Sequence, residues 1–541
     1  MGIARAMNVQ IKQIRGDIVE LLFNPKEEDL CVGDNLSIME KGRRGGLIVQ
    51  VIEFRTVTYP ALVTELLELA VEGAQTLPAS LFQFYGRDLP EMGNLKIAIA
   101  KVRKLVQIAN GNEPSAIGHQ LSARWDQWDG WIPTRAVIVE RTKDKEVFAN
   151  CLSDYGHRLR LGQTLAGEDF FIEGQELEKV NIITGVKGSG KSHLAKVILL
   201  QLIRQGAPAI VFDINREYIH LPPHQFNPLT GRVERRGIIH LEAGENFRLS
   251  VPQFGLAPLM TLLSKYGLPE VSAMHFENRL TRLLEEIHTW RNRGRKLPFL
   301  GLEQLIQMAE EEEFAPGHGM ASVINSAIRS RLEALRNTRI FARHPEEAVS
   351  LHEYYEQVRE GGALILDISA LGSLTRSGLV QAIIEMIREI CEQEIASGTD
   401  RFPFIFFEEA HLYVPRASID YIVTRARHLG ITSFFVTNMI AGLDEAVLRQ
   451  ADNLFLLNLP FEDDVRHVAR CAITDYETMS AFVRRLRSFH ALVIGKATGG
   501  YPLILRVDEL AGINTAGETK FFFKRGEERA EQMALPLTAY G

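Results

Sequence analysis

The sequence is poor in cysteine and tryptophan and has no long apolar run, and each shortage removes a class of protein. Its four cysteines (Cys31, Cys151, Cys391 and Cys471) stand far apart, with no Cys-x-x-Cys pair. That spacing excludes a zinc ribbon, a thioredoxin-type motif and a disulfide scaffold, so reduced thiols in a cytoplasmic protein are expected. No stretch reaches the roughly eighteen apolar residues that a membrane-spanning helix needs. Residues 1–20 lack the apolar centre of a signal peptide, and Ala6 breaks the myristoylation pattern. Excess charge of one sign is missing too: 61 Lys and Arg against 68 Asp and Glu leave −7 at pH 7. A protein that binds nucleic acid over its whole surface is usually basic, so any such contact here must use a local stripe or a pore. There is no internal repeat and no low-complexity tract.

At 541 residues the chain is too long for one core, and about two to four domains are expected. Residues 1–150 read as β-rich. Alternating segments at 17–23, 35–40, 46–54, 95–102 and 136–140 are separated by Gly, Asn and Asp turn chemistry, and a helical stretch at 62–74 interrupts them. The pattern predicts a small β-barrel with an insertion. Three of the four tryptophans, Trp125, Trp128 and Trp131, cluster here, as a ligand platform or as a barrel rim or subunit contact.

Residues 151–255 and 346–505 change style. Strand candidates at 180–184, 209–213, 363–367, 404–407, 432–436 and 454–457 alternate with helical stretches. This predicts an α/β fold, a mostly parallel sheet with helices on both faces. Residues 256–345 break the rhythm with amphipathic segments such as 273–291 and 323–336, and read as a helical insertion. The C-terminal extension, 506–541, carries Phe521, Phe522 and Phe523 amid charges. Three adjacent phenylalanines need a covering surface, such as a neighbouring subunit.

Residues 185–192 read Gly185-Val186-Lys187-Gly188-Ser189-Gly190-Lys191-Ser192, the G-x-x-x-x-G-K-[ST] spacing of a phosphate-binding loop. A β-branched run precedes it and a helical run from His193 and Leu194 follows. Strand, glycine turn and helix N-terminus together aim backbone N–H groups at one concavity, which favours phosphate. Gly188 and Gly190 allow close backbone approach. Lys191 suits the β- and γ-phosphates of ATP, and the Ser192 hydroxyl suits Mg²⁺. The bland alternative is a glycine-rich turn that happens to match.

An ATPase also needs a carboxylate to organise Mg²⁺ and a base for the attacking water. Phe404-Ile405-Phe406-Phe407-Glu408-Glu409-Ala410-His411 offers an apolar strand ending in two acids. Alternation turns Glu408 and Glu409 to opposite sides, so Glu408 can serve the metal while Glu409 polarises the water. Two strand candidates fall between the loop and this strand, the spacing of RecA-like phosphate-loop ATPases. No Asn-Lys-x-Asp guanine signature and no Leu-Ser-Gly-Gly-Gln transporter signature occurs. The residues after Glu409 are too few for a second lobe, so a neighbouring subunit is expected to complete each site, which favours a ring. Thr437 and Asn438 stand where a polar side chain senses the γ-phosphate or merely ends a strand. Arg425, Arg427 and His428 supply either an arginine finger for a neighbouring site or a surface ion pair.

The chain resembles the HerA ATPases of the HerA/FtsK superfamily. The likeness rests on the loop, on Asp213-Ile214-Asn215-Arg216-Glu217-Tyr218, on Glu408-Glu409-Ala410-His411, on Arg427-His428-Leu429-Gly430 and on Thr437-Asn438. Glu408, His428 and Asn438 replace the family's usual Asp, Lys and Gln. The resemblance implies a HAS-type barrel, a homohexamer and double-stranded DNA threaded through its centre. It also implies a partner effector on the barrel face. Archaeal relatives work with a nuclease in DNA end processing. Bacterial relatives pair with nuclease-type or sirtuin-like NAD-consuming enzymes in antiviral defence.

Two functions therefore compete. One is an ATP-driven DNA translocase or helicase, its pore lined from Lys41/Arg43/Arg44, Arg291/Arg293/Arg295/Lys296 or Arg484/Arg485/Arg487. For each of these clusters taken alone, a solvated helix or loop face is the plainer reading. The other is a regulatory scaffold in which ATP gates an effector without moving DNA.

Overall fold

The computed structural model describes residues 6–40, 45–56, 95–108, 123–134, 137–177, 179–221, 225–226, 233–235, 237–292, 299–317, 319–399, 401–414, 422–423, 430–471 and 473–510. They fall into two compact units. The first runs to Gln205 and takes up Glu409–His411 and the chain up to Asp508; the second takes Gly206–Glu408 and Leu412–Val414.

The first unit opens with β1 (Val9–Arg15), β2 (Ile18–Phe23), β3 (Asn35–Glu40), β4 (Gly45–Thr56), β5 (Lys96–Ile108), β6 (Ala123–Asp126) and β7 (Val137–Arg141). They pair antiparallel in the order β1-β2-β5-β4-β3-β7, with β6 beside β5. The period-two pattern of β2 sends Val19, Leu21 and Phe23 inward, where they meet Leu36, Ile38, Leu47, Val49 and Ala100 in one core. Register shifts in β4 between Ile48 and Val49 and between Val51 and Glu53 bend the long β4–β5 ribbon. Met7 N–H donates to Val139 C=O at 2.8 Å, so the edge strand β7 curls back to the residues before β1. The sheet is barrel-like. Trp128 and Trp131 pack against its core and Trp125 lies beside Tyr501, 6.5 Å between ring centroids.

The chain continues through β8 (Arg158–Thr164), β9 (Asp169–Glu173), β10 (Val180–Thr184) and helix α1 (Lys191–Arg204). The second unit follows with β11 (Pro208–Asp213), the short hairpin β12 (Gln225–Phe226) and β13 (Val233–Arg235), β14 (Ile238–Glu242), β15 (Gly362–Asp367) and β16 (Phe404–Glu408). Here the order is β14-β15-β11-β16 and all three pairings are parallel. Every residue of β11 and β15 is buried, as expected where helices cover both faces of a parallel sheet. Between β14 and β15 the helix Leu351–Val358 follows a helical run of Val251–Phe254, Leu256–Lys265, Glu270–Asn292, Leu302–Glu310 and Ala321–Arg336. The two ends of this helical run are tied together. Leu249 N–H donates to Ile340 C=O and accepts from Ala342 N–H, both at 2.9 Å, and Val349 N–H donates to Arg248 C=O at 3.0 Å.

The last strands return to the first unit: β17 (Thr432–Thr437), β18 (Asn453–Leu456), β19 (His490–Gly495) and β20 (Leu503–Val507). Their order is β17-β10-β18-β19-β20-β8-β9. Only β17, β10 and β18 run parallel; the rest of this order is antiparallel. The mostly parallel sheet expected from sequence thus describes the second unit and three strands of the first. Beyond β18 no helical crossover intervenes between β19 and β20 or between β8 and β9, and short connections leave antiparallel pairing as the outcome.

The curled sheet is fastened to the rest of its unit by polar contacts. Lys101 Nζ lies 2.9 Å from Asp475, Arg103 donates to Thr478 at 3.0 Å, and Tyr501 donates to Asn35 at 2.7 Å. Asp475 also caps the helix Tyr476–Phe482. Although burial pushes its carboxyl up, the hydrogen bonds from Lys101 and Thr478 hold it down at about 2.

Candidate nucleotide-binding site

All five residues of β10 are buried, so the strand fixes the start of the loop. Gly185 has no room for a side chain, since a Cβ there would stand 2.8 Å from both Leu457 Cβ and Ser189 Oγ. The loop then passes twice through left-handed backbone, at Gly188 (φ 78°) and Gly190 (φ 108°), conformations that glycine adopts without strain. Nothing lies within 4 Å of a Cβ built on Gly188, so this side of the loop is open. Gly190 caps α1 without any side-chain bond, which leaves the first N–H groups of the helix for a ligand.

Lys191 is only 8% exposed, and its ammonium donates to Val186 C=O at 3.3 Å. The same carbonyl accepts from the Ser189 hydroxyl at 2.7 Å. The cation therefore lies over the loop interior. Lys187 is exposed and Ser192 half-buried. His193 is buried, with Nε2 2.7 Å from Asp508 C=O and its ring edge-on to Phe489 at 5.2 Å. Phe489 N–H donates to Ser189 C=O at 2.9 Å.

Thr184 pairs in register with Thr437, so the end of β17 adjoins the start of the loop. Glu409 N–H donates to Val436 C=O at 2.7 Å, which holds Glu409 at that same strand end. Its Oε2 accepts from Asn438 N–H at 3.2 Å and lies 3.5 Å from His411 Nδ1. His411 Nδ1 in turn is 3.0 Å from the Thr437 hydroxyl. Glu409 sits at φ 50°, a conformation costing of order 1–3 kcal/mol outside glycine, which persists where the surroundings over-determine it. The bonds to Val436 and Asn438 are those surroundings. Asn438 contributes its backbone here, while its side chain is exposed; the Thr437 hydroxyl is turned inward to His411 and Met439.

In the second unit Asp213, at the end of β11, accepts from the N–H groups of Asn215, Glu217 and Tyr218 at 3.2, 3.1 and 2.9 Å. The turn so formed buries Tyr218, whose hydroxyl donates to Glu408 Oε1. Glu408 is 2% exposed. Burial, then the neighbouring Glu408 charge, push the Tyr218 hydroxyl well above its ordinary range, so it remains a donor.

Sequence reasoning did not find the Tyr218–Glu408 and His411–Glu409 partnerships. The second had a visible signal, because a turn after a strand brings positions two apart together. Arg425, Arg427 and His428 lie outside the described residues, as do Lys41, Arg43, Arg44, Arg293, Arg295, Lys296 and Phe521–Phe523; so does the side chain of Arg291. Arg484, Arg485 and Arg487 are exposed and line, with Arg55, Phe54 and Phe482, a cavity of about 1170 Å³. Among the described residues no group of three or more His, Cys, Asp or Glu side chains is set to hold a metal ion. No helix among them is long and apolar enough to cross a membrane.

Comparison with a known family covers the loop and ends before the two acids. Residues 160–387 match the family described as "Helicase HerA, central domain". The DNA double-strand break repair helicase HerA of Sulfolobus acidocaldarius is 20% identical over 359 residues, 61% of this chain, and the chain spans 65% of that relative's length. Among solved structures, VirB4 of Thermoanaerobacter pseudethanolicus aligns with a TM-score of 0.49 and 15% identity over 66% of this chain and 98% of that one. Plasmid coupling protein TrwB in complex with ADP and Mg²⁺ aligns with a TM-score of 0.43 and 14% identity, over 66% and 91%.

Proposed function

With a HerA-type central domain across residues 160–387 as the premise, we propose that this chain hydrolyses ATP within a homohexameric ring and uses the energy to move double-stranded DNA. The observation that carries the reading is Glu409. Its strained backbone and its bonds to Val436 and Asn438 set one carboxylate at the strand end beside the phosphate loop.

The loop fits a triphosphate. It offers an open concavity at Gly188, uncapped N–H groups at Gly190–Ser192, and the Lys191 cation over its interior. A divalent cation such as Mg²⁺, when bound with the phosphates, would be held by the Ser192 hydroxyl, with Glu408 the candidate carboxylate for its water, and would neutralise phosphate charge. Lys191 draws charge from the β- and γ-oxygens. Glu409 accepts a proton from a water whose oxygen attacks the γ-phosphorus; the bond from that phosphorus to the bridging oxygen breaks, leaving ADP and phosphate. Arg427 is the proposed trans-acting cation for a neighbouring site, and Asn438 the sensor of the γ-phosphate.

The ring would carry a nuclease or sirtuin-like NADase partner on its barrel face, in DNA end processing or antiviral defence. A second reading is favoured by the Glu408 network, where a longer acid replaces the family's aspartate and is tied to Tyr218. On that reading the ring is a scaffold in which ATP gates the partner. Turnover measured with and without double-stranded DNA, together with strand displacement, separates the two. Stimulation by DNA with displacement supports the motor, and DNA-indifferent hydrolysis overturns it. Sedimentation as a monomer with and without ATP overturns the ring in both forms.

A further inference from the structure

The loop has two flanks in the first unit, and they are unlike. On one side β10 pairs with β17, and there stands Glu409. On the other side β10 pairs parallel with β18, and β18 pairs antiparallel with β19. Because β19 runs opposite to β10, its first residues lie at the phosphate-loop end of the sheet. The turn before it, closed by His490 N–H to Arg487 C=O at 3.1 Å, places Phe489 there.

Phe489 is an odd residue for that position. Its φ is 61°, where a turn ordinarily takes glycine or asparagine. Its backbone is bonded on both sides, N–H to Ser189 C=O at 2.9 Å and C=O from Val507 N–H at 2.8 Å. The residue is 46% exposed, although the His193 ring stands nearly perpendicular to its ring, 5.2 Å between centroids. Gly190 accommodates it, since an added Cβ there would meet the Phe489 ring at 3.0 Å. A large aromatic residue is thus held in a strained turn against the phosphate loop with nearly half of its surface left in solvent, where burial gives little in return.

A nucleotide bound in this loop has a direction. In the proposed site the γ-phosphate faces Glu409 on the β17 flank, so the nucleoside extends toward the opposite flank, where β19 begins. The geometry points to Phe489 as the stacking surface for the nucleotide base. The exposed ring supplies the π-face, His193 holds it edge-on, and the bonds to Ser189 and Val507 keep it beside the loop. This inference rests on the proposed ATP site and adds the element that binds the nucleoside rather than the phosphates.

The test compares ATP with inorganic tripolyphosphate as ligands of the full chain, by calorimetry. For Phe489→Ala the dissociation constant for ATP should rise about tenfold, the usual size of a base-aromatic stack, with tripolyphosphate affinity unchanged. Phe489→Tyr should restore ATP affinity. Phe489→Gly suits the positive φ, so it should raise the melting temperature while still losing ATP affinity. Equal ATP binding by Phe489→Ala and the wild type overturns the inference. Equal losses for ATP and tripolyphosphate also overturn it, because they mean that Phe489 merely props the loop. If wild-type protein binds neither ligand, it is the ATP site itself that fails.

Discussion

Glu408 and Glu409 are neighbours with the same side chain, and the structure treats them in opposite ways. Glu408 ends a buried parallel strand and is satisfied by a side chain, the Tyr218 hydroxyl, which a turn capped by Asp213 holds in place. Glu409 leaves the strand through left-handed backbone and is satisfied by the main-chain N–H of Asn438, with His411 alongside. The first arrangement fixes a carboxylate through packing and is costly to disturb. The second fixes a carboxylate through backbone direction and leaves an oxygen for chemistry. Residue type alone does not separate a positioning acid from a reacting one; what holds each acid does.

Four experiments press on that contrast. The largest effect is expected from Glu409→Gln, which keeps the shape and removes the proton acceptor. ATP turnover should drop by about 10²–10⁴ while ATP binding persists. Normal turnover would assign the base to Glu408. Lys191→Ala should lower turnover by roughly 10²–10³ and weaken ATP binding as well, since the phosphates lose their cation. A variant that binds ATP normally would show that the loop is not the nucleotide site.

Tyr218→Phe removes the donor to a buried carboxylate and should destabilise the protein by about 1–3 kcal/mol in urea unfolding. If Glu408 organises the reaction, turnover at saturating ATP also falls. If Glu408 is structural only, stability changes and turnover does not. The smallest effect is acid sensitivity, and each unit has its own reporter. The Arg359 hydrogen bonds hold Glu394 at about 2 from an ordinary 4.5, and Asp475 is likewise held at about 2 from 3.8. Both folded-state values are depressed. Their contribution is therefore complete above the ordinary values and is lost as pH falls toward 2. Glu394→Gln and Asp475→Asn should each flatten the fall of melting temperature below about pH 5.

Much of the molecule was legible in its residues. The strand 180–184 and the helical segments 273–291 and 323–336 correspond to β10, Glu270–Asn292 and Ala321–Arg336. Those elements carry strong local periodicity, and the loop carries its own spacing. The antiparallel strands β8, β9, β19 and β20 were not read as such. They are short, and their pairing is decided by the strand they reach, often hundreds of residues away, as when β20 pairs with β8. The site divided along the same line. Lys191, Glu409 and the glycines follow from local sequence, whereas Tyr218 meets Glu408 across 190 positions. The strained turn at Phe489 is illegible too, because nothing in a phenylalanine announces a positive φ.

The stitching at the base of the helical run has a consequence of its own. Leu249 bonds to Ile340 and Ala342, and Val349 to Arg248, so everything between departs and returns through one narrow gate. From the strands below, five helices weigh no more than a tight turn, because closing a long loop costs little beyond closing a short one. Such a segment is free to lengthen, shrink or be exchanged without re-registering a single strand. Variation among kindred chains should gather there, like a tool changed on a fixed handle.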